Sequence, residues 1–172
     1  MEQAYLFNRG EDYMSYNLLG SRPFTNDEGE AGFLFRVWAP KAKSISVIGD
    51  FNDWTPNADP MYRVGESGIW ECKIIGATQW DRYKYSVVGA DSKIYDKIDP
   101  YARHFETRPN NASILYDPND YEWNDGDYCA NRVDALSPRP INIYELHLGS
   151  WRRHPDGNFF TYRELAIDLS DY

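Results

Sequence analysis

The residue with the clearest potential for chemistry is Trp54, which stands between a strand-like run and a proline. The apolar run 45–48 ends in the turn-forming sequence GDFND at 49–53. Pro56 then prevents the chain from continuing as a central strand. Trp54 therefore lies in a loop, where its large amphipathic ring either stacks on a ligand or folds back as a lid on the core. The residues alone leave both interpretations open.

The ionisable and nucleophilic residues form no pattern typical of catalysis. His104, His147 and His154 are far apart, and Cys72 and Cys129 do not have the spacing of a zinc site. The sequence contains neither a phosphate-binding glycine loop nor a nucleophile elbow, and its carboxylates single out no acid pair. We therefore expect no catalytic residue, no cofactor and no metal in this chain.

The composition excludes several classes of partner. A net charge of -9 argues against nucleic acid and against an anionic membrane, since both select basic surfaces. The 14 Tyr and 6 Trp suit surfaces that stack on polar rings, although β-rich cores use the same residues. The sequence opens with no signal segment and has no run long enough to span a bilayer. We therefore expect a cytoplasmic protein with reduced thiols.

The central part of the sequence predicts an antiparallel β-sandwich. From Gly32 the apolar residues alternate with polar ones, and short runs are separated by Gly, Asn, Asp and Pro. Alternation predicts that the inward-facing side chains are Phe33, Phe35, Val37, Trp70, Tyr83 and Tyr85. It also predicts that Lys84 points outward. The candidate strands are 33–38, 44–48, 61–64, 70–74, 83–88, 93–96 and 112–116.

The flanking segments differ from this central part. Residues 1–31 are a polar lead-in with a candidate short helix from Asp12 to Leu19, the sandwich covers 32–116, and 117–140 is rich in linker residues. From 141 to 172 the sequence is no longer rich in linker residues and again has patterns typical of regular secondary structure.

Residues 141–148 are strand-like, and Thr161 with Glu164 forms a capping box before a helix. A strand followed by a helix is the opening unit of an α/β domain, and we expect this chain to be a fragment. Without neighbouring strands, residues after about 137 should be disordered, irregularly packed or exchanged between chains.

Four motifs in the central part resemble one known family. FRVWAP at 35–40, GDFNDW at 49–54, YKY at 83–85 and DPYA at 99–102 are similar to the family 48 carbohydrate-binding module, which precedes the barrel of glycogen branching enzymes. Further along, YELHLGSWRR at 144–153 and YREL at 162–165 resemble the first barrel strand, its loop and the first barrel helix of 1,4-α-glucan branching enzymes. The resemblance extends over about 13–172.

This resemblance implies a fold and a reaction. The fold would be an immunoglobulin-like antiparallel β-sandwich, followed by the first strand and the start of the first helix of a truncated (β/α)8 barrel. The parent enzyme would cleave α-1,4 linkages and transfer the glucan to a 6-hydroxyl by retaining chemistry. The carboxylates for this reaction would lie on later barrel strands, beyond Tyr172. The chain alone is therefore expected to be inactive.

The resemblance also implies a binding site for α-1,4-glucans such as glycogen and maltooligosaccharides. Trp54 would stack on a glucose ring, Lys84 and Asn111 would bond hydroxyls, and Tyr95 matches a second stacking aromatic more loosely. The other expected partner is the enzyme's own barrel. One or two stacked rings and a few hydrogen bonds predict high-micromolar to millimolar affinity.

Three alternatives stay open at the level of the sequence. The chain could be a freestanding regulatory module that binds α-glucan without catalysing a reaction. It could also be a purely structural sandwich that binds no sugar. A debranching enzyme or a trehalose-forming hydrolase could carry the same module.

Overall fold

The computed structural model describes residues 2–132, 140 and 142–172. They form two compact units, one ending at Glu122 and the other beginning at Trp123. Among the described residues, every strand lies in the first unit, and three of the four α-helices lie in the second. Among the described residues, no helix combines the length and the apolar character needed to cross a membrane.

The first unit contains ten strands in two antiparallel sheets. The strands are β1 (Gly20–Thr25), β2 (Ala31–Trp38), β3 (Ser44–Gly49), β4 (Asp59–Pro60), β5 (Tyr62–Arg63), β6 (Ile69–Ile75), β7 (Arg82–Val88), β8 (Ile94–Lys97), β9 (His104–Phe105) and β10 (Ser113–Ile114). The first sheet has the order β1-β2-β6-β5. The second has the order β4-β3-β7-β10-β9. Strand β10 pairs with residues 82–83 of β7, and β8 pairs with residues 85–88 of β7. The predicted antiparallel β-sandwich is therefore confirmed.

The core lies between the two sheets, as the alternation predicts. Phe35 in β2 and Tyr83 in β7 are fully buried, and their ring centroids are 5.1 Å apart in an edge-on contact. This contact joins the inner faces of the two sheets. The six side chains predicted to face inward are all buried, and they are Phe33, Phe35, Val37, Trp70, Tyr83 and Tyr85.

The segment before β2 is more ordered than the sequence indicates. Strand β1 lies at the edge of the first sheet, where Pro23 can occupy a strand without interrupting a ladder on both sides. The predicted helix 12–19 is reduced to a single 3-10 turn at Ser15–Asn17. Helix α1 (Glu2–Asn8) is an element that the sequence pattern does not predict, and its Ala4 packs in an apolar cluster with Ile69 of β6.

The second unit contains α2 (Gly126–Asn131), α3 (Leu148–Trp151) and α4 (Tyr162–Asp171). The predicted strand 141–148 is wrong for its described part, because residues 142–147 form no strand and Leu148 already begins α3. Ile141 lies outside the described residues, as do 133–139 within the predicted linker. A strand satisfies its backbone groups through its neighbours, and none of the described strands pairs with residues 142–147.

The predicted start of helix α4 is confirmed. The Thr161 backbone N–H donates to Glu164 Oε2 over 2.7 Å, and the Glu164 N–H donates to Thr161 Oγ1 over 3.4 Å. These reciprocal bonds form the capping box at the first turn. Leu165, in the same turn, is buried.

A buried carboxylate, Asp99, organises the interior of the sandwich. Its Oδ2 accepts hydrogen bonds from the hydroxyls of Tyr83 over 2.6 Å and Tyr85 over 3.1 Å, and its Oδ1 accepts from the Tyr101 N–H over 2.8 Å. The Asp99 N–H donates to Ser113 Oγ over 2.9 Å. The Tyr83 hydroxyl also lies 3.1 Å from Ser21 Oγ in β1. This network therefore connects both sheets with the segment that follows β8.

Asp99→Ala is expected to destabilise the sandwich strongly. The change leaves two buried hydroxyls and one backbone N–H without their acceptor, which costs roughly 2–5 kcal/mol of unfolding free energy. Urea unfolding of both chains measures this loss. Asp96→Ala, at an exposed position of the neighbouring β8, is the matched control. An equal loss in both variants would contradict the role of Asp99.

The charge state of Asp99 should make this stability depend on pH. Burial raises the pKa of Asp99, and the hydrogen bonds that it accepts only partly oppose this shift. A carboxyl whose pKa is raised by folding makes its full contribution to stability at pH values below about 4, which is its pKa in the unfolded chain. That contribution is lost as the pH rises through the folded pKa.

The comparison with Asp99→Asn isolates this contribution, because the amide does not titrate. The unfolding free energy of the original chain minus that of Asp99→Asn should fall as the pH rises from about 4 toward 7. Urea titrations at several pH values measure the difference. A difference that increases with pH would show that the pKa of Asp99 is lowered in the fold.

Candidate functional site

The loop after β3 has a backbone held by one side chain. Asn52 Oδ1 accepts a hydrogen bond from the Gly49 N–H over 2.9 Å. Its amide Nδ2 donates to the Val47 carbonyl over 2.9 Å and to Asp59 Oδ2 over 2.7 Å. One side chain thus ties the end of β3 to β4. The hydrogen bonds of Asn52 therefore define the backbone conformation of this loop.

Trp54 occupies an unusual backbone conformation in this loop. Asp53 has φ 53° and Trp54 has φ 57°, so two consecutive residues other than glycine are in the left-handed region. This region is unfavourable for a bulky residue and is maintained only where the surrounding structure requires it. The Trp54 N–H donates to the Gly49 carbonyl over 2.9 Å, which closes the loop on itself.

The orientation of the Trp54 ring is set by a carboxylate. Its indole Nε1–H donates to Asp50 Oδ1 over 3.0 Å. Asp50 in turn accepts two bonds from the Arg82 guanidinium and one from the Arg82 backbone N–H, each over 2.9 Å. The bonds from Arg82 hold the pKa of Asp50 below its usual range. The carboxylate that positions the indole is therefore ionised at neutral pH.

Lys84 and Asn111 meet on the outer face of the second sheet. Lys84 lies in β7 between the buried Tyr83 and Tyr85, so alternation directs it away from the core. Its Nζ donates to Asn111 Oδ1 over 2.7 Å. Asn111 lies in the loop that precedes β10. The predicted outward direction of Lys84 is thus confirmed, and two of the predicted site residues are in direct contact.

Trp54 belongs to the same outer face. Arg82 is two residues before Lys84 in β7, and residues two apart on a strand share a face. Since Arg82 binds the Asp50 that holds the indole, the Trp54 ring is linked to the face that carries Lys84. We call this surface, defined by Trp54, Arg82, Lys84 and Asn111, the outer face.

Tyr95 is placed differently from the other predicted site residues. In β8 it lies opposite Val87, so it shares the side of Tyr85 rather than that of Lys84. Its hydroxyl donates to Asp91 Oδ2 over 2.8 Å, within the hairpin between β7 and β8. The structure therefore does not bring Tyr95 to the outer face.

Two ion pairs of the outer face are not evident from the sequence. Arg82 contacts Glu106 over 3.6 Å in addition to Asp50, and Glu106 Oε2 accepts from the Ala112 N–H over 2.9 Å. Arg82 thereby connects the Trp54 loop to the loop of Asn111. Alternation could have identified Arg82 as a neighbour of Lys84, but no sequence signal pairs it with two acids far along the chain.

The described residues form no metal site. Within the described ranges, no group of three or more His, Cys, Asp or Glu side chains could hold a metal ion. The face instead presents an oriented indole and, linked to it through Asp50 and Arg82, a lysine ammonium bonded to a carboxamide. Such groups can stack on a flat apolar surface and bond neutral hydroxyls, which together suit a carbohydrate.

One known family is similar to the part of the chain that forms most of the sandwich. Residues 19–102 match the family described as carbohydrate-binding module 48 (isoamylase N-terminal domain). This segment, just under half of the chain, is therefore similar to that family.

Several proteins similar to nearly the whole chain are branching enzymes. The 1,4-alpha-glucan branching enzyme GlgB of Halothermothrix orenii is 44% identical over 169 residues, covering 98% of this chain and 27% of that protein. The enzyme of the same name from Bacillus subtilis is 43% identical over 170 residues, with the same coverage of both chains. The chain thus spans about a quarter of the length of these relatives.

A solved structure is also similar. Ligand-free PulA from Klebsiella pneumoniae matches with a TM-score of 0.47 and 28% sequence identity. The match covers 59% of this chain and 10% of that protein.

Proposed function

We propose that this chain is the N-terminal, glucan-binding part of a 1,4-α-glucan branching enzyme. The observation that carries the proposal is the outer face, where an oriented Trp54 ring lies on the same side of the sheet as the bonded pair Lys84 and Asn111. The match of residues 19–102 to carbohydrate-binding module 48 and the similarity to branching enzymes support this function. The partner is an α-1,4-glucan, such as glycogen or a maltooligosaccharide.

Each side chain has a distinct role in the proposed site. Trp54 offers its indole face to the apolar face of a glucose ring. A lysine ammonium has three donors, and the bond to Asn111 uses one, so Lys84 can donate to sugar hydroxyls. The Asn111 amide adds donors beside it. Because Asn111 already positions the ammonium, little side-chain order has to be gained on binding.

The chemical reaction belongs to the whole enzyme in this proposal. The retaining transfer from an α-1,4 linkage to a 6-hydroxyl needs two carboxyl groups, which we assign to residues outside this sequence. The segment 144–153 and helix α4 are proposed to begin the catalytic barrel, which is the second partner of the module. The chain alone is expected to bind glucan without branching it, and the enzyme is expected to be cytoplasmic.

Replacement of Trp54 is expected to weaken glucan binding. Trp54→Asn suits the left-handed backbone at this position, because Asn tolerates it better than most residues, and it removes the ring without straining the loop. Losing a stacking contact of about 1.5 kcal/mol should weaken maltoheptaose binding about tenfold. NMR shift titrations of both chains provide the dissociation constants.

The control variant removes an exposed ring from the other sheet. Tyr62→Ala in β5 should bind maltoheptaose like the original chain. Lys84→Met should weaken binding by removing the donor beside Asn111. If no saturable shift occurs, or if the affinity of Trp54→Asn is unchanged, the outer face does not bind glucan and the module has a structural role.

A further inference from the structure

A second exposed tryptophan, Trp80, stands in the turn before β7. It is 56% exposed and has φ 78°, again the left-handed region. Its backbone N–H donates to the Leu115 carbonyl over 2.9 Å, and the Thr78 N–H donates to Asp81 Oδ2 over 2.7 Å. These bonds hold the turn that carries the ring. A bulky ring is thus maintained at the surface in a backbone conformation that is unfavourable for it.

Two other rings support Trp80 from the side. The centroid of Trp80 lies 5.4 Å from that of His104 at an interplanar angle of 87°, and 5.5 Å from that of Tyr116 at 59°. The His104 and Tyr116 centroids are 5.9 Å apart. We call these three residues the Trp80 cluster. Edge-on and tilted contacts orient the indole without covering it, so much of its surface stays accessible.

The register of the second sheet places this cluster on the outer face. Arg82 of β7 lies opposite Ile114 of β10, and Ile114 lies opposite His104 of β9. Residues directly opposite one another share a side of the sheet, so His104 is on the side of Arg82 and Lys84. The Trp80 cluster therefore shares one surface with the proposed glucan site of Trp54, Lys84 and Asn111, which we call the Trp54 site.

The space between the two aromatic groups is polar. Arg82 joins Asp50, which holds the Trp54 indole, to Glu106, which is two residues from His104 in the chain. A guanidinium and two carboxylates offer both donors and acceptors. An aromatic ring at each end with hydrogen-bonding groups between them suits a ligand made of repeated rings that carry hydroxyls.

We propose that the Trp80 cluster is a second stacking platform for the same glucan chain, so that the outer face binds a ligand long enough to reach both rings. This inference rests on the proposed function of the Trp54 site. Neutral glucan fits better than a polyanion because the chain carries a net charge of -9. Once one glucose unit is stacked on Trp54, a second unit reaches Trp80 at a high effective concentration.

The length of the ligand distinguishes the two platforms. Maltotriose and maltoheptaose are titrated into the original chain, Trp54→Asn, Trp80→Asn and the control Tyr62→Ala, with NMR shifts as the readout. The original chain should bind maltoheptaose several-fold more tightly than maltotriose. In Trp80→Asn the tighter binding of the longer glucan should be lost, while maltotriose should bind as before. Asn again suits the left-handed backbone, so the turn should remain folded.

The ring of His104 gives a direct second measurement. It contacts Trp80, so its NMR signals should shift with maltoheptaose in the original chain and much less in Trp80→Asn. Unmoved His104 signals together with an unchanged maltoheptaose affinity in Trp80→Asn would overturn the second platform.

The same titrations separate this failure from a failure of the proposed function. If only Trp54→Asn weakens binding, the Trp54 site stands and the second platform is refuted. If Trp54→Asn has no effect on either glucan, the proposed site fails, and the linked arrangement fails with it.

Discussion

The hydrogen bonds between the Asp99 carboxylate and the hydroxyls of Tyr83 and Tyr85 are the constraint on which the rest of this structure depends. Burial of a carboxylate without such donors would be very costly, so both tyrosines must point inward at the same time. The two rings belong to one strand, β7, and the residue between them is Lys84. The inner network therefore determines which side of β7 faces outward, and with it the position of the candidate site.

The sequence predicted best the strands with one face in the core and the other face outside it. In β2 and β7, inward-facing aromatic residues alternate with residues such as Arg36 and Lys84, and both strands form as predicted. Strand β1 has weak alternation and contains Pro23, so its place at the sheet edge depends on pairing with β2, which local pattern cannot reveal. The segment 142–147 shows the opposite case. Its sequence is strand-like, yet a strand requires a neighbour that none of the described residues provides.

The candidate site was only partly predictable for a related reason. Turn residues place Trp54 in a loop, and alternation directs Lys84 outward, because both are local properties of the chain. That Lys84 and Asn111 serve one binding site is implied only by the family resemblance, and their direct contact is not predicted at all. The bonds of Arg82 to Asp50 and Glu106 bring together three distant segments. Such contacts follow from the sheet order and register, which no single segment encodes.

The bond between the Trp54 indole N–H and Asp50 means that different side chains of the proposed site hold the polymer and recognise it. Since the only polar group of this ring is already engaged, the indole can offer a sugar only its flat apolar surface. A flat surface of this kind scarcely distinguishes one pyranose from another by the directions of its hydroxyls. Selectivity for glucose and for the geometry of its linkages then falls to the ammonium of Lys84 and the amide of Asn111, whose positions are set by each other. Holding the polymer and recognising it thus depend on separate side chains, and one can change without the other.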